Sequence, residues 1–436
     1  MTKVRIGGLI LVSIGAGIVL LIQAFVLTVK APDAVHDLIG SYYSAQCLVH
    51  HCDPYNPDDV LHIFRVEGGE HSLSNPVTRD VITRYLYPPS TFAVMVPLSL
   101  LPWSAAHVLW AFLSSCSLIV AAYLIWNLSG QDAPLVAGAL IGYLLANSYV
   151  VVAISNPSEL VIGMCVIGAW CFIRDRFVAI GILCMAVSLA IKPQVPILVW
   201  LYFLLAGGAF RRRAVQTLVV TAVAVAPFIV WVWVVAPHWN DELHSNLLYF
   251  SVHGGITDPG PSSPTANELV DLQVIISRLY DQPMFYNLAS YLVFAPLFLG
   301  WLVMSIGKRV SNKKALYALA AIAPLSMLPI YHHFYDTKLL LLTVPAMSLL
   351  WSHRGRIAWM ALLLTAGAFF ITGDISHRFL ENLALNLNLV HGELAERCVR
   401  ALAVLPAPII LLFTGCFYLW VYRRASQSDQ KMPLEQ

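Results

Sequence analysis

The chain has 436 residues, of which 58% are hydrophobic and 11% are charged, and its formal net charge is +2. Soluble domains carry about 25% charged residues. This composition, with a mean hydropathy of +0.72, therefore excludes an ordinary soluble domain. The small net charge argues against nucleic acid as a partner. Because the apolar runs are long and do not alternate with polar residues, they predict helices and not a β-barrel.

The first element follows Lys3 and Arg5 and is an apolar run over residues 6–29. It is too long for the hydrophobic region of a signal peptide, and it shows no obvious small-residue cleavage site, so we expect a retained first span. Cytoplasmic loops carry an excess of Lys and Arg. The basic clusters at 3–5, 174–176, 211–213, 308–314, 354–356 and 423–424 are therefore assigned to the cytoplasm.

These clusters place both termini in the cytoplasm and predict an all-α polytopic bundle of about twelve transmembrane helices. The predicted spans are 6–29, 104–126, 134–153, 159–173, 177–191, 193–207, 214–236, 286–306, 315–330, 338–351, 357–372 and 400–422. Residues 1–425 form one integral membrane domain, followed by a short polar tail at 426–436. The apolar segment Ser90–Leu101 is too short to cross a bilayer, so it is predicted to be a re-entrant or interfacial helix.

Most polar residues outside the basic clusters then lie on the extracytoplasmic side. The two large loops there, 30–89 and 237–285, are expected to carry short helices. A transporter would more often show two matching halves, and no convincing internal repeat is present. This asymmetry predicts a site at the outer membrane surface.

Asp37 is the first candidate, a carboxylate directly after the first span. It can act as a general base toward a hydroxyl group, or it can cap a helix or pair with a base. Tyr42 and Tyr43 follow it, and Tyr87 comes later, before Pro88-Pro89. Tyrosines at this level can stack on a sugar ring, or they can be ordinary residues of the interfacial aromatic belt.

Lys192 stands before Pro193 and Gln194 and interrupts an apolar stretch from 178 to 206. A cation there suits a phosphate, although a lysine that extends to the interface is the alternative. Arg278 can likewise bind phosphate or form a surface salt bridge.

Six consecutive residues, Tyr331 to Asp336, form the densest polar group, with Lys338 close behind. His332 or His333 can bind a lipid phosphate or steer a leaving group; a solvated loop with incidental histidines is the alternative. Adjacent histidines on a helix point in different directions, which disfavours a metal site.

Three cysteines, Cys47, Cys52 and Cys398, fall in loops on the same predicted side. A disulfide among them is compatible with an oxidising compartment. Cysteine spacing typical of a zinc site is absent from the sequence. We expect no metal and no cofactor.

The ordered series Asp37, Tyr42-Tyr43, Asp53-Pro54-Tyr55 and Tyr87-Pro88-Pro89 resembles the start of glycosyltransferase family 87. This family contains mannosyltransferases of the GT-C fold that depend on polyprenyl phosphate mannose. Lys192-Pro193-Gln194 and the His332-to-Asp336 region resemble its later motifs, and residues 267–278 resemble another more loosely. The chain departs from the family at His50-His51-Cys52, where a small residue is common, which leaves the acceptor pocket undefined.

The resemblance implies that Asp37 is the catalytic base, that His332 or His333 lies in the active site, and that a polyprenyl-phosphate-sugar is the donor. The donor would bind from the outer leaflet and transfer its sugar with inversion to a lipid or glycan acceptor, without a nucleotide sugar. Tyr42, Tyr43, Tyr87, Lys192, Gln194, Arg278 and Asp336 are the candidate substrate-binding residues. Apart from the resemblance, the absence of long soluble domains and of retention signals from the sequence favours a bacterial inner membrane.

Two other functions are compatible with polar residues at span ends. A transporter or flippase of lipid-linked sugars would translocate its substrate without forming a new product. A structural membrane scaffold would be insensitive to the loss of Asp37, Lys192 or His332.

Overall fold

A computed structural model describes residues 2–28, 36–66, 76–307, 311–375 and 406–428. The first ten α-helices are α1 (Lys3–Thr28), α2 (His36–Val49), α3 (Pro57–Val66), α4 (Pro76–Thr83), α5 (Phe92–Ser99), α6 (Trp103–Ser129), α7 (Pro134–Ala146), α8 (Tyr149–Ala153), α9 (Ser158–Arg174) and α10 (Val178–Ile191). The others are α11 (Ile197–Leu205), α12 (Gly208–Val235), α13 (Trp239–Ser251), α14 (Leu272–Leu279), α15 (Pro283–Ser305), α16 (Asn312–Leu325), α17 (Val344–Ser352), α18 (Arg356–Ile371) and α19 (Pro406–Ser428). Short 3-10 helices cover Pro89–Thr91, Ala266–Glu268 and Phe334–Thr343.

Local sequence explains several helix boundaries. Helices α7 and α15 begin at Pro134 and Pro283, whose missing N–H costs nothing in the first turn. The Asp271 carboxylate caps α14 by accepting a hydrogen bond from the Val274 N–H at 3.3 Å. These signals place the helix starts where the polar connections end.

Within the described residues, five helices are long and apolar enough to cross a membrane: α1, α6, α12, α15 and residues Pro406–Gln427 of α19. Helices α12 and α15 expose large apolar side chains, such as Val223, Val234 and Val303, that would be unfavourable in water. These features confirm a helical membrane protein. The predicted count of twelve spans is not confirmed, because most of the other apolar helices are shorter.

Two predicted spans are not continuous helices. The segment 134–153 breaks after α7, where the Asn147 side-chain amide donates to the Tyr143 carbonyl at 2.9 Å and ends the helix. The segment 338–351 begins as the 3-10 helix Phe334–Thr343 and becomes α-helical only at α17. The short helix predicted after Pro88-Pro89 is present as Pro89–Thr91 followed by α5.

Helices α1 and α7 make an unusually close contact through glycines. A Cβ atom built on Gly8 or Gly15 would lie 2.1 Å from the Pro134 carbonyl oxygen or 2.6 Å from the Gly142 carbonyl oxygen, respectively. Gly138 and Gly142, four residues apart on α7, are equally crowded. This small-residue spacing is typical of close helix pairs in membranes, where van der Waals packing drives association.

Helix α9 lies at the centre of the bundle, and its side chains are buried over nearly its whole length. It packs between α6 and α10 and also contacts the 3-10 helix Phe334–Thr343. Helix α2 packs on α3, α4 and α5. The start of α9 is therefore where the polar ends of several elements meet.

Candidate active site

Asp37 lies half-buried in the first turn of α2 and contacts the turn before α9. The Asn156 side-chain amide donates to Asp37 Oδ2 at 2.5 Å, and Asn156 Oδ1 accepts from the Ser158 N–H at 2.8 Å. Because a backbone N–H can only donate, this second bond fixes which side of the amide faces Asp37. The carboxylate is thus held by an amide whose own orientation is determined.

The same turn leads to a buried ion pair. Ser158 Oγ donates to Asp336 Oδ1 at 2.6 Å, and Lys192 Nζ donates to both Ser158 Oγ at 2.6 Å and Asp336 Oδ1 at 2.9 Å. Lys192 is 7% exposed and Asp336 is 2% exposed. These contacts join Asp37, Asn156, Ser158, Lys192 and Asp336 into one continuous polar chain, here called the polar chain, inside an otherwise apolar protein.

Asp336 has two roles in this arrangement. Its Oδ2 accepts from the His333 N–H at 3.3 Å and caps the 3-10 helix Phe334–Thr343, while Oδ1 bonds to Lys192. Burial by itself raises the pKa of Asp336, but the Lys192 ammonium, together with smaller contributions that include the Ser158 hydroxyl, outweighs it and leaves the pKa lowered. Asp336 is therefore ionised at neutral pH.

The two histidines are buried, so they do not belong to a solvated loop. Burial lowers the pKa of His332, and it lowers the pKa of His333 to about 4. Both rings are therefore neutral at pH 7. His332 Nδ1 lies 3.0 Å from the Ile330 carbonyl oxygen, which can only accept, so Nδ1 carries the proton and Nε2 is an acceptor.

His333 is held by aromatic and polar neighbours. Its Nε2 hydrogen-bonds with the Tyr331 hydroxyl, and its ring stacks on Tyr335 with centroids 4.8 Å apart. Its Nδ1 lies 3.7 Å from a carboxylate oxygen of Glu268. Lys192 Nζ lies 5.2 Å from the centroid of the same Tyr335 ring, so the His333 side chain and the ion pair share one neighbour.

Tyr87 is brought to the polar chain by the short elements before it. Its carbonyl accepts from the Tyr55 hydroxyl at 2.9 Å, which joins two of the sequence motifs. Burial raises the pKa of Tyr87, and the carboxylates of Asp37 and Asp336 add to this effect. Both carboxylates thus act on the Tyr87 phenol.

The segment after Tyr87 is anchored beside Lys192. Ser90 Oγ donates to the Ala190 carbonyl at 2.7 Å, and Thr91 Oγ1 donates to the Ile191 carbonyl at 3.1 Å. These carbonyls belong to the last turn of α10, which would otherwise lack partners. The Pro-rich segment and Lys192 are therefore fixed to the same helix end.

The other residues predicted for the site lie outside the polar chain or at its margin. Tyr42 and Tyr43 lie in an aromatic cluster with Trp103 and Phe64, and the Tyr42 hydroxyl donates to the Leu101 carbonyl at 2.8 Å. These contacts pack α2 against its neighbours. Gln194 is half-buried in the turn after Lys192, and Arg278 is half-buried in the last turn of α14.

The sequence did not single out Asn156 and Ser158 as site residues. A polar Asn-Pro-Ser turn between two apolar helices is an ordinary connection, and nothing local shows that it contacts Asp37. The pairing of Lys192 with Asp336, 144 residues apart, was also not predicted. Only the spatial arrangement shows that these side chains meet.

Cys47 and Cys52 form a disulfide at the end of α2. Cys398 lies outside the described residues. Within the described ranges, Cys47, Cys52 and Asp59 are the group whose ligand atoms lie close enough to hold a metal ion. The two sulfurs are consumed by the disulfide, so they are not thiolate ligands in this structure.

The model of one protein family, Glycosyltransferase family 87, matches residues 85–330, more than half of the chain. The chain belongs to glycosyltransferase family 87. Neither the curated proteins nor the solved structures include a match to it. The protein is thus a membrane glycosyltransferase, as the sequence motifs predicted.

The family 87 match covers only part of the polar chain. Tyr87, Lys192, Gln194, Arg278 and the Asn156 turn lie within it, whereas Asp37 and residues 332–336 lie outside. The geometry links both groups, because Asp37 bonds to Asn156 and Asp336 bonds to Lys192.

Proposed function

We propose that this glycosyltransferase moves a hexosyl group, by the family resemblance a mannosyl group, from a polyprenyl-phosphate-sugar to a hydroxyl of a lipid or glycan acceptor. The transfer inverts the anomeric centre and takes place on the extracytoplasmic side of a bacterial inner membrane. The observation that carries the proposal is the polar chain from Asp37 to the Lys192–Asp336 ion pair. An apolar protein has little reason to keep such a chain unless a reaction uses it.

Asp37 is the base in this proposal. It takes the proton of the acceptor hydroxyl as that oxygen attacks the anomeric carbon. The bond between this carbon and the phosphate oxygen breaks, and polyprenyl phosphate leaves with the bonding electron pair. The leaving phosphate is stable as an anion, so a strong general acid is not required.

Asn156 positions Asp37 for this step. Its amide holds one carboxylate oxygen at 2.5 Å and is itself fixed by the Ser158 N–H. General-base catalysis depends first on geometry, with the base within hydrogen-bond reach of the proton it removes. Asn156 is thus a positioning residue, acting through Asp37.

Lys192 is the cation for the leaving phosphate. Two of its three N–H bonds are used by Ser158 and Asp336, and the third is left for a phosphate oxygen. A preorganised donor in a site that excludes water stabilises charge that develops in the transition state. Asp336 holds the ammonium in place for this role.

The neutral histidines fit the sugar better than the phosphate. With its Nδ1 proton bonded to the Ile330 carbonyl, His332 offers Nε2 only as an acceptor, which suits a sugar hydroxyl. Gln194, Tyr87 and Arg278 complete the proposed substrate-binding set on the family resemblance. No cofactor or metal takes part in the proposed step.

The deciding experiment uses the purified protein in lipid with polyprenyl phosphate mannose and candidate hydroxyl acceptors. We expect release of polyprenyl phosphate matched by glycosylated product. Asp37→Asn should keep the fold and lose transfer by at least 100-fold, whereas Asp58→Asn, an exposed carboxylate in the same loop, should not.

Full transfer by Asp37→Asn would remove the base assignment. Movement of the lipid-linked sugar across the membrane without any new glycoside would favour the flippase alternative. Release of polyprenyl phosphate from another sugar donor, but not from the mannosyl donor, would keep the mechanism and correct the sugar.

A further inference from the structure

A second cavity lies at the other end of α16 from the polar chain. It has a volume of about 370 Å³ and is lined by the start of α16 and by residues from α17, α18 and α19. Helix α16 has 14 residues, so its two ends are about 20 Å apart at 1.5 Å per residue. The cavity is separate from the proposed active site.

Three basic side chains line the part of the cavity wall that the structure describes. Lys313, Lys314 and Arg424 line it, and its described lining includes no carboxylate. Asp132 lies close enough to Tyr317, another lining residue, to act on it electrostatically, and the two exposed cations Lys313 and Arg424 remain on the described wall. Ser311 and the first turn of α16 add hydroxyl and N–H donors on the same side.

The rest of the lining is apolar and aromatic. Leu350, Ile357 and Val421 contribute to it, and Trp420 is 38% exposed there. The Arg424 guanidinium lies 3.9 Å from the centroid of the Trp420 ring, a cation–π contact that holds the charge against the cavity wall. A ligand that fits both parts carries an anionic group attached to an apolar body.

We propose that this cavity binds a phosphate-bearing anion, and specifically the headgroup of an anionic phospholipid. Basic pockets between membrane helices on the cytoplasmic side are suited to such headgroups. Lys313 and Lys314 belong to one basic cluster that the sequence assigns to the cytoplasm, and Arg424 belongs to another. This site does not rest on the proposed transferase mechanism.

The test measures lipid binding by native mass spectrometry and by thermal stability of the intact protein. The probes are phosphatidylglycerol, phosphatidylcholine and, as a soluble phosphate, glycerol 3-phosphate. We expect phosphatidylglycerol to stay bound and raise the melting temperature, and phosphatidylcholine to do neither. The triple variant Lys313→Gln/Lys314→Gln/Arg424→Gln should bind phosphatidylglycerol on the order of 100-fold more weakly, since each basic residue contributes about one factor of five.

The matched control removes the same charge from other exposed basic residues, in Arg174→Gln/Arg176→Gln/Arg212→Gln. It should keep phosphatidylglycerol binding. Equal loss in both triple variants would overturn the proposal in favour of general surface charge. If glycerol 3-phosphate binds as tightly as phosphatidylglycerol, the cavity is a site for a soluble phosphate and not for a lipid headgroup.

Because Lys314 is partly buried, the triple variant is compared with the single charge reversal Lys313→Glu, at an exposed position. That variant should also weaken phosphatidylglycerol binding, by about tenfold or more. Unchanged binding in a folded Lys313→Glu protein would contradict the proposal.

Discussion

At the scale of single residues, Asn156 shows how one amide can fix the position of a carboxylate. It donates to Asp37 and is itself locked by the Ser158 N–H, so neither partner can rotate freely. Asp37 was predictable because a carboxylate stands out in an apolar sequence. Asn156 was not, because its role depends on a contact across 119 residues.

A carboxylate in place of the Asn156 amide, next to Asp37, should change the pH dependence of transfer. In Asn156→Asp, two carboxylates would face each other at about 2.5 Å, and both cannot ionise easily. We expect the acid limb of kcat/KM against pH to move up by at least one unit. Asn147→Asp, another buried asparagine at a helix end, should leave this limb in place.

Removal of the Asn156 amide without added charge tests whether this residue positions Asp37 or contacts the substrate. Asn156→Ala should lower kcat by about 10- to 100-fold with little change in KM, because binding contacts remain while the geometry of the base is lost. A change confined to KM would argue that Asn156 contacts substrate instead.

Burial of His333 makes stability depend on pH. Its pKa is about 4 in the folded protein against 6.5 when exposed, so the unfolded state binds more protons between these values. Stability contributed by the neutral ring is fully present above pH 6.5 and is lost as pH falls toward 4. We expect about 2 kcal/mol less stability at pH 5 than at pH 7 from this residue.

The measurement compares thermal unfolding of the wild type and His333→Gln at pH 7 and pH 5. Glutamine keeps a polar side chain but does not titrate, so its loss of stability over this range should be smaller. Identical pH dependence in both proteins would show that another group dominates.

At the scale of elements, the Lys192–Asp336 ion pair joins the turn after α10 to the 3-10 helix Phe334–Thr343. The sequence predicted that both residues lie at span ends on one side. It also treated residues 338–351 as one helix, because apolar composition alone cannot distinguish 3-10 from α geometry. The buried Asp336 carboxylate caps the start of the 3-10 helix Phe334–Thr343. Lys192, which lies outside this helix, holds that carboxylate in place.

Removal of one partner of this ion pair should destabilise the protein more than removal of both partners. Lys192→Met leaves the Asp336 charge buried without its partner, for which about 3–5 kcal/mol is typical. Lys192→Met/Asp336→Leu removes both charges and should unfold at a higher temperature than the single variant. Both proteins should be inactive. Equal melting temperatures would indicate that the two side chains are not coupled.

The contact between α1 and α7 offers a matched pair of glycines two residues apart. Gly15→Ala places a Cβ atom 2.6 Å from the Gly142 carbonyl oxygen and should destabilise the protein by about 1–3 kcal/mol. Gly17→Ala meets nothing within 4 Å and should be neutral or slightly stabilising. Thermal unfolding in the same detergent compares them.

At the scale of the whole molecule, the hydrophobic composition and long apolar runs predicted a helical membrane protein, and the distribution of basic residues predicted that its polar loops lie on one side. The helical membrane character is confirmed, and five helices in the described part of the chain are long enough to span a bilayer. The predicted count of twelve spans is not confirmed, because described helices such as α7, α10 and α18 are shorter than a lone membrane-spanning helix. Packing inside the bundle allows lengths that a lone helix in lipid would not tolerate.

The predicted orientation can be tested by labelling cysteines from outside intact cells. Asp58→Cys, exposed in the first large loop, should react with a membrane-impermeant maleimide. Arg212→Cys should react only after the membrane is opened, and the parent protein sets the background. The reverse pattern would invert the predicted topology.

The closed ion pair has a consequence for turnover under the proposed mechanism. Asp336 already neutralises most of the Lys192 charge, and one N–H of the ammonium is left for the leaving phosphate, so this phosphate meets a nearly neutral ion pair. Tight retention of polyprenyl phosphate is therefore not expected from Lys192. Under the proposed mechanism the ion pair stays intact, and its carboxylate repels the anionic polyprenyl phosphate, which favours release of the spent carrier.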